Sequence, residues 1–264
     1  MKAGSESNRT GALPASEFVQ TLERGLQVIR CFNEETPART LADVAKAVGL
    51  TRAAARRLVL TLEALGYVER TDKVFRLSPR VLELGYSYLA SQPWWRHAQK
   101  VLQEAGREIG CACAVGVLDR DSVAYVAYTP GGESATVLRA VGTRLPAVAT
   151  AMGRVLLAHL PVSDVAALLR AHPPARLTPF TLTEPADIAA DLERIRDKGY
   201  SAVYQQLEVG LFSVGVPIFD RAGGVIAAMS ASIWQREPDQ QTVQDTFLKP
   251  MFVASRRITE GLPY

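Results

Sequence analysis

The chain has 264 residues, 48% of them hydrophobic, which is enough for a packed core and one or two domains. It has no run of 18 or more apolar residues, and its polar start does not resemble a signal peptide, so we expect no membrane association. Its net charge is +3, and its three cysteines do not make a disulfide framework. We therefore predict a cytoplasmic protein, with disorder over residues 1–15.

In chain order, the first predicted helix covers residues 17–32, and a segment typical of a winged helix-turn-helix follows over residues 40–77. In this segment Leu41, Val44 and Val48 lie on one helical stripe. Thr40 is a predicted cap with Asp43 as its partner, and Gly49 suits the end of the helix. Because a new helix starts at Thr51, the two helices must cross.

The second helix of this pair has the pattern of a recognition helix. Its apolar residues occupy one face, which leaves Ala53, Arg56 and Arg57 on another. Small residues at the start of the helix allow it to enter a major groove about 12 Å wide, where arginine reaches guanine. Strands predicted over residues 67–70 and 74–77, around a turn at residues 71–73, add a hairpin wing.

Positive charge is concentrated in this segment. Residues 51–80 contain seven basic and three acidic side chains, a net +4 against +3 for the whole chain. An amphipathic helix pair alone is more typical of a small helical core with an ordinary solvated face. The short turn, the slim start of the second helix and the basic wing together favour DNA binding. The predicted DNA-contacting residues are Thr51, Arg52, Ala53, Arg56, Arg57, Arg70, Lys73 and Arg76.

A linker helix follows the wing. Ser78 and Pro79 are a capping residue and a first-turn proline, and the helix continues to the Ser-Gln-Pro sequence that ends at Pro93. The predicted domains are therefore a winged helix-turn-helix over residues 16–77, a linker over 78–93 and a second domain over 94–264.

The second domain is predicted to be α+β with a mainly antiparallel sheet. Its expected helices cover residues 95–109, 151–159, 163–171, 186–198 and 239–261. Its expected strands cover residues 111–118, 123–128, 135–140, 213–219 and 225–233.

Motifs of enzymes are missing from this domain. The sequence contains no P-loop, GxGxxG, HExxH or GxSxG, and its three histidines lack metal-ligand spacing. Cys111 and Cys113 share one strand face at a spacing wrong for zinc or CxxC chemistry, which favours buried hydrophobic side chains over a redox sensor. We predict no catalytic residue, metal or cofactor.

A small-molecule pocket has more support. The helix that starts near Ala151 and Met152 offers free backbone N–H groups, which can bind a carboxylate or, as at most helix starts, water. Ser230 and Ser232 share one face of an apolar strand, and Ser213 lies on another predicted strand. These hydroxyls either bond each other or line a site.

These motifs occur together in a known family. From about residue 18 to 261 the chain resembles the IclR-type bacterial transcriptional regulators, through TLERGLQVIRCF, TLADVAKAVGLTRAAARRLVLTLEALGYVER, GTRLPAVATAMGRVLLA and QLEVGLFSVGVPIFD. The third and fourth motifs are most similar to the subgroup that regulates β-ketoadipate pathway genes and responds to protocatechuate, 4-hydroxybenzoate or β-ketoadipate.

The resemblance implies a homodimer or dimer of dimers that binds operator DNA and a small carboxylate. It places effector contacts on Ala151, Met152, Leu211, Ser213, Ser230 and Ser232.

The chain departs from the family at Val203, an aspartate in some members, at Phe212, often arginine, and at Gly215, often alanine. Arg144 and Gln205 or Gln206 are candidate replacements for a polar contact. A regulator that senses a short aliphatic keto acid, and an enzyme acting on small carboxylates with an attached DNA-binding domain, are the alternatives.

Overall fold

The computed structural model describes Pro14 and residues 16–92, 94–131 and 140–262. The chain divides into two compact units between Ser87 and Tyr88. The predicted disorder over residues 1–15 and the predicted strand over 135–140 lie outside the described residues, apart from Pro14 and Ala140. Over the described ranges, no helix combines the length and the apolar character needed to cross a bilayer.

The first unit is a winged helix-turn-helix, as predicted. Its elements are α1 (Gln20–Arg30), β1 (Arg39–Thr40), α2 (Leu41–Ala47), α3 (Arg52–Ala64), β2 (Val68–Thr71) and β3 (Val74–Leu77). The strands form an antiparallel sheet in the order β1-β3-β2. Sequence periodicity missed β1, because two residues are too few to show alternation. Val28, Val44, Val59 and Phe75 form the centre of the core between helices and wing.

The turn between α2 and α3 has the predicted caps. The Thr40 hydroxyl accepts a hydrogen bond from the Asp43 N–H at 3.3 Å, and the Asp43 carboxylate accepts one from the Thr40 N–H at 3.0 Å. The carboxylate also accepts a hydrogen bond from the Thr40 hydroxyl at 2.8 Å, and this bond, together with the one from the Thr40 N–H, holds the pKa of Asp43 below its usual value. Gly49 takes a φ of +65°, and the Thr51 hydroxyl caps α3 by accepting from the Ala54 N–H at 3.2 Å.

The wing is tighter than the sequence indicated. Its turn contains two residues, Asp72 and Lys73, and Asp72 has a φ of +56°. Aspartate tolerates this left-handed conformation better than most residues, so Thr71 joins the strand and the hairpin closes in two residues. Beyond the wing, Ser78 caps a short 3-10 turn, Pro79–Val81, and α4 follows as Leu82–Ala90.

The second unit is an α+β domain, as predicted. Its helices are α5 (Trp95–Ile109), α6 (Ala151–Ala158), α7 (Val162–Ala171), α8 (Pro185–Lys198), α9 (Gln240–Thr242) and α10 (Lys249–Glu260). Its strands are β4 (Ala112–Asp119), β5 (Ser122–Thr129), β6 (Arg144–Pro146), β7 (Ser201–Tyr204), β8 (Leu211–Phe219) and β9 (Val225–Trp234). The fully antiparallel sheet has the order β6-β5-β4-β9-β8-β7.

Both edge strands of this sheet escaped prediction. β6 has three residues and β7 has four, lengths at which an alternating pattern cannot be distinguished from a loop. The C-terminal helix was predicted as one piece, but residues Val243–Leu248 form a π-helical turn before Pro250. Proline lacks an N–H and displaces the preceding turn, which explains the break.

The two faces of the sheet carry separate cores. On one face, α5 and α10 pack over Phe212, Met229 and their neighbours. On the other face, α6 and α8 pack over Ala114, Tyr125 and Ala228. Alternation along β8 and β9 sends one residue to each core in turn, and the serines fall on the α6 face.

The N-terminus of α6 lies directly on β8. A Cβ atom at Gly215 would stand 2.7 Å from the carbonyl carbon and oxygen of Ala151 and 3.0 Å from the Met152 nitrogen. No side chain fits in that space, so glycine at position 215 permits the contact between helix and strand.

A buried arginine fixes α6 from its other side. The Arg154 residue is only 2% exposed, and its Nε donates to the Val148 carbonyl at 2.7 Å. One Nη donates to the Asp191 carboxylate of α8 at 2.9 Å and the other to the Gln206 side-chain oxygen. Burial lowers the pKa of Arg154, and the charge of Asp191 opposes that shift. Three segments of the unit are thus joined at one guanidinium.

This arrangement predicts unequal roles for the two arginines that contact Asp191. Asp191→Ala leaves the Arg154 charge buried without its partner and should lower the free energy of unfolding by about 3 kcal/mol. Arg194→Ala removes the exposed contact to the same carboxylate and should cost less than about 1 kcal/mol. Urea unfolding followed by tryptophan fluorescence reports on the second unit, which holds all three tryptophans. Equal losses in the two variants would contradict this interpretation.

Candidate functional site

The first unit presents its predicted DNA-contacting residues to solvent. All eight are exposed. Arg52, Arg56 and Arg57 project from α3, and the second and third of them are one turn beyond the slim start of the helix at Ala53. None of these three arginines forms an ion pair with another described residue, and the same holds for Lys73 and Arg76. Five cationic side chains on one helix and one hairpin are therefore available to phosphate or base oxygens.

Two of the eight residues also have structural roles within the unit. Arg70 is paired with Glu63 near the end of α3, with Nε 3.1 Å from Oε1, so part of its charge is neutralised. This contact ties the wing to the recognition helix. Thr51 uses its hydroxyl as the cap of α3, which leaves fewer hydrogen bonds for DNA.

The second unit contains a cavity between the N-terminus of α6 and strands β7, β8 and β9. Its empty space, open solvent at the mouth included, is about 320 Å³. Its lining consists of Tyr125, Ala149, Thr150, Ala151, Met152, Val203, Gln206, Leu207, Leu211, Ser213, Ser230 and Ser232. Six of the residues assigned to effector binding from the sequence thus come together: Ala151, Met152, Leu211, Ser213, Ser230 and Ser232.

Strand register explains how the serines meet. Ser213 lies opposite Ser232 on the neighbouring strand, and their hydroxyl oxygens are 2.9 Å apart. Ser230, two residues along the same face, lies opposite Gly215. The Ser230 side chain is 4% exposed, and its hydroxyl forms no hydrogen bond to any described residue. Of the three serine hydroxyls in the cavity, two are therefore paired with each other and the third has no partner among the described residues.

The α6 N-terminus supplies two further donors. Thr150 caps the helix by accepting from the Gly153 N–H at 3.1 Å. The N–H groups of Ala151 and Met152 are buried, and neither has an acceptor among the residues that the structure describes. Unpaired N–H groups at a helix start carry partial positive charge and attract an anion.

Two residues assigned to this site from the sequence, Arg144 and Gln205, do not line the cavity. Arg144 stands on the edge strand β6, where its guanidinium pairs with Asp119 and does not line the cavity. The side-chain oxygen of Gln205 accepts from the Gly210 N–H at 3.0 Å and closes the loop that joins β7 to β8. In both cases a local partner holds the polar group away from the cavity.

The sequence offered Gln206 only as an alternative to Gln205 for a polar contact with the effector, and it did not indicate Tyr125. The backbone of Gln205 has a φ of +59°, which ends the strand alternation and brings the next side chain to the cavity. Tyr125 comes from β5 and forms an aromatic wall. An apolar strand residue gives no sequence signal of this kind, because a core position has the same pattern.

The departures from the family motifs differ in their consequences. Val203 lines the cavity, so its lack of charge alters the site. Phe212 points to the opposite face of the sheet and packs edge-on against Phe247, with ring centroids 5.7 Å apart. Gly215 allows the approach of α6. Consequently, none of the twelve lining side chains is charged at neutral pH.

The cysteines lie away from this cavity. Cys111 and Cys113 are buried in the core under α5 and α10, on the same side of the sheet, which confirms their shared face and their packing role. The pKa of the Cys113 thiol is raised through its hydrogen bond with Cys111 and through burial. Within the described ranges, no three His, Cys, Asp or Glu side chains are grouped as metal ligands.

Comparison with known proteins agrees with both units. Residues 21–72 match the IclR helix-turn-helix domain, and residues 86–259 match the bacterial transcriptional regulator IclR C-terminal domain. The Pca regulon regulatory protein of Pseudomonas putida is 36% identical over 253 residues, covering 93% of this chain and 85% of that protein.

Solved structures give the same result. A protein from Rhodococcus sp. RHA1 is 41% identical, with a TM-score of 0.82 over 93% of this chain and 98% of that one. An IclR homolog from Microbacterium hydrocarbonoxydans, solved with 4-hydroxybenzoate, is 26% identical, with a TM-score of 0.78 over 92% of this chain and 98% of its own. With both domain models matched in order, this chain belongs to the IclR family of bacterial transcriptional regulators.

Proposed function

We propose that this regulator controls genes for the breakdown of an aromatic acid, and that the acid binds in the cavity beside α6. The observation that carries the proposal is the convergence of unpaired N–H groups and serine hydroxyls on one uncharged, partly aromatic cavity. The names of two relatives support the pathway, since one regulates a Pca regulon and another was solved with 4-hydroxybenzoate. As a DNA-binding regulator, the protein would act in the cytoplasm.

The proposed ligand pose follows from the donors. A carboxylate placed at the N–H groups of Ala151 and Met152 meets the positive end of the α6 dipole. The rest of an aromatic ring contacts Tyr125 and Leu211, and a ring hydroxyl meets the serines. A second carboxylate would be buried without a cation, which costs several kcal/mol. Protocatechuate and 4-hydroxybenzoate therefore fit the cavity better than the dicarboxylate β-ketoadipate.

Ligand binding changes DNA affinity only if it favours one arrangement of the protein over another. In this proposal the first unit reads operator DNA through α3 and the wing, while the second unit supplies the ligand-dependent bias.

Recognition by α3 predicts a loss of DNA affinity when its arginines are removed. Arg56→Ala and Arg57→Ala should each weaken binding by roughly 1–3 kcal/mol where a base contact is lost, or lower the salt dependence where a phosphate contact is lost. Gel shifts measure both the DNA affinity and its salt dependence. The duplex is one that the wild-type protein selects from a random library. Arg30→Ala, an exposed change at the end of α1, serves as the control. Wild-type affinity in both α3 variants would refute the assignment of the recognition helix.

The proposed effector site predicts a loss of ligand affinity that leaves DNA affinity unchanged. Ser230→Ala combined with Ser232→Ala removes hydrogen bonds to the ring hydroxyl of the bound acid, each worth about 0.5–1.5 kcal/mol. Calorimetric titration with 4-hydroxybenzoate should show affinity at least about tenfold weaker, while DNA binding without ligand stays unchanged. Ser122→Ala, outside the cavity on β5, is the matched control. Undiminished affinity in the double variant would exclude these hydroxyls from the site.

We also propose that α1 joins two copies of the chain. Phe18, Leu22 and Leu26 follow one another at intervals of four residues and are 46%, 63% and 47% exposed. Such a row is apolar surface that water disfavours, and a symmetric dimer would cover it while presenting two α3 helices to paired half-sites.

This interface predicts that negatively charged substitutions in the apolar row of α1 lower the mass of the protein in solution. Leu22→Glu with Leu26→Glu should shift the protein towards monomer in sedimentation at micromolar concentration, because like charges then oppose each other across the two-fold axis. Gln27→Glu adds charge to the same helix outside the row and should leave the mass unchanged. A dimer that withstands the double substitution would place the interface elsewhere.

A further inference from the structure

We infer that Gln206 determines ligand specificity in the cavity, by donating a hydrogen bond from its side-chain amide to an oxygen of the bound acid. This inference rests on the proposed effector site. It assigns a role to a residue that sequence reasoning could not separate from its neighbour Gln205.

The orientation of the amide is fixed by its surroundings. The Gln206 side-chain oxygen accepts from the backbone N–H of Leu182 at 3.1 Å and also from an Nη of Arg154. Two donors converge on this atom, and of the two ends of a glutamine amide only the oxygen can accept them. The NH2 group is therefore the other end, and it has no acceptor among the described residues of the chain.

Arg154 acts as the positioning residue. Two of its other N–H groups donate to the Val148 carbonyl and to the Asp191 carboxylate, so the guanidinium stays behind the glutamine and does not line the cavity. An amide whose oxygen is hydrogen-bonded to a cation is a stronger donor at its nitrogen. The buried charge thus reaches the ligand through Gln206 and not by direct contact.

The donor fits the chemistry of the rest of the cavity. Ala151 and Met152 offer N–H groups, the serines offer hydroxyls, and no lining side chain is charged. An additional neutral donor favours a ligand rich in acceptor oxygens, such as a carboxylate, and does so without a buried ion pair.

Gln205 supplies a matched control. It is the same residue type, half-buried on the same loop, and its side-chain oxygen likewise accepts from a backbone N–H, that of Gly210. It differs in that its side chain does not line the cavity.

The test compares Gln206→Glu with Gln205→Glu. Each substitution retains an oxygen acceptor for the existing backbone donor and replaces the NH2 group by a carboxylate oxygen. In calorimetric titration with 4-hydroxybenzoate, Gln206→Glu should bind at least tenfold more weakly than wild type, and Gln205→Glu within twofold of it. Both should keep the urea midpoint and the gel-shift affinity of the wild type.

If Gln206→Glu lowers the urea midpoint, Gln206→Met tests the same donor without an added charge. We expect this variant to bind 4-hydroxybenzoate at least fivefold more weakly than wild type and to retain DNA binding. Wild-type affinity in the Gln206 variants would overturn the inference, as would equal losses in Gln206→Glu and Gln205→Glu. If the wild-type protein binds neither 4-hydroxybenzoate nor protocatechuate, the proposed effector fails first and the role of Gln206 falls with it.

Discussion

The approach of α6 to strand β8 at Gly215 is the contact on which the second unit depends. It sets the unpaired N–H groups of Ala151 and Met152 beside the serines of the sheet, so that a helix end and a strand face form one site. A β-carbon at position 215 would separate them. On its far side, α6 is held by the Arg154 guanidinium, which joins it to α8 and to the loop after β7.

An uncharged cavity has consequences for signalling. A carboxylate bound by backbone N–H groups and hydroxyls gains modest charge-assisted hydrogen bonds without the desolvation of a buried cation. An effector must leave when its concentration falls, and a binding site of moderate strength allows this. Keeping Arg154 one layer behind the ligand provides positive potential and leaves its own ion pair with Asp191 intact.

The sequence predicted those parts of the fold that have a local cause. A cap at Thr40, a helix start at Thr51 and apolar periodicity located the helices of the first unit, and strand alternation placed the serines on one face. The edge strands were too short to carry a pattern. Arg144 and Gln205 misled for a different reason, since their partners, Asp119 and the Gly210 N–H, are set by tertiary and loop geometry. A polar residue in a pocket motif can find its hydrogen-bond partner in a neighbouring residue as well as in a ligand.

The lining of the cavity also limits how a ligand can influence the rest of the protein. Of its twelve residues, Gln206 and Leu207 belong to the loop after β7, while the others lie on β strands, on α6 or on the turn that leads into it. Packed strands and helices change little between states, whereas a loop has alternative conformations of similar free energy. A ligand alters an equilibrium only through contacts that differ between the two states. In the proposed site, Gln206 would make such a contact, and its oxygen already receives hydrogen bonds from Leu182 and Arg154, so ligand binding and the anchoring of two loops on α6 would share one side chain.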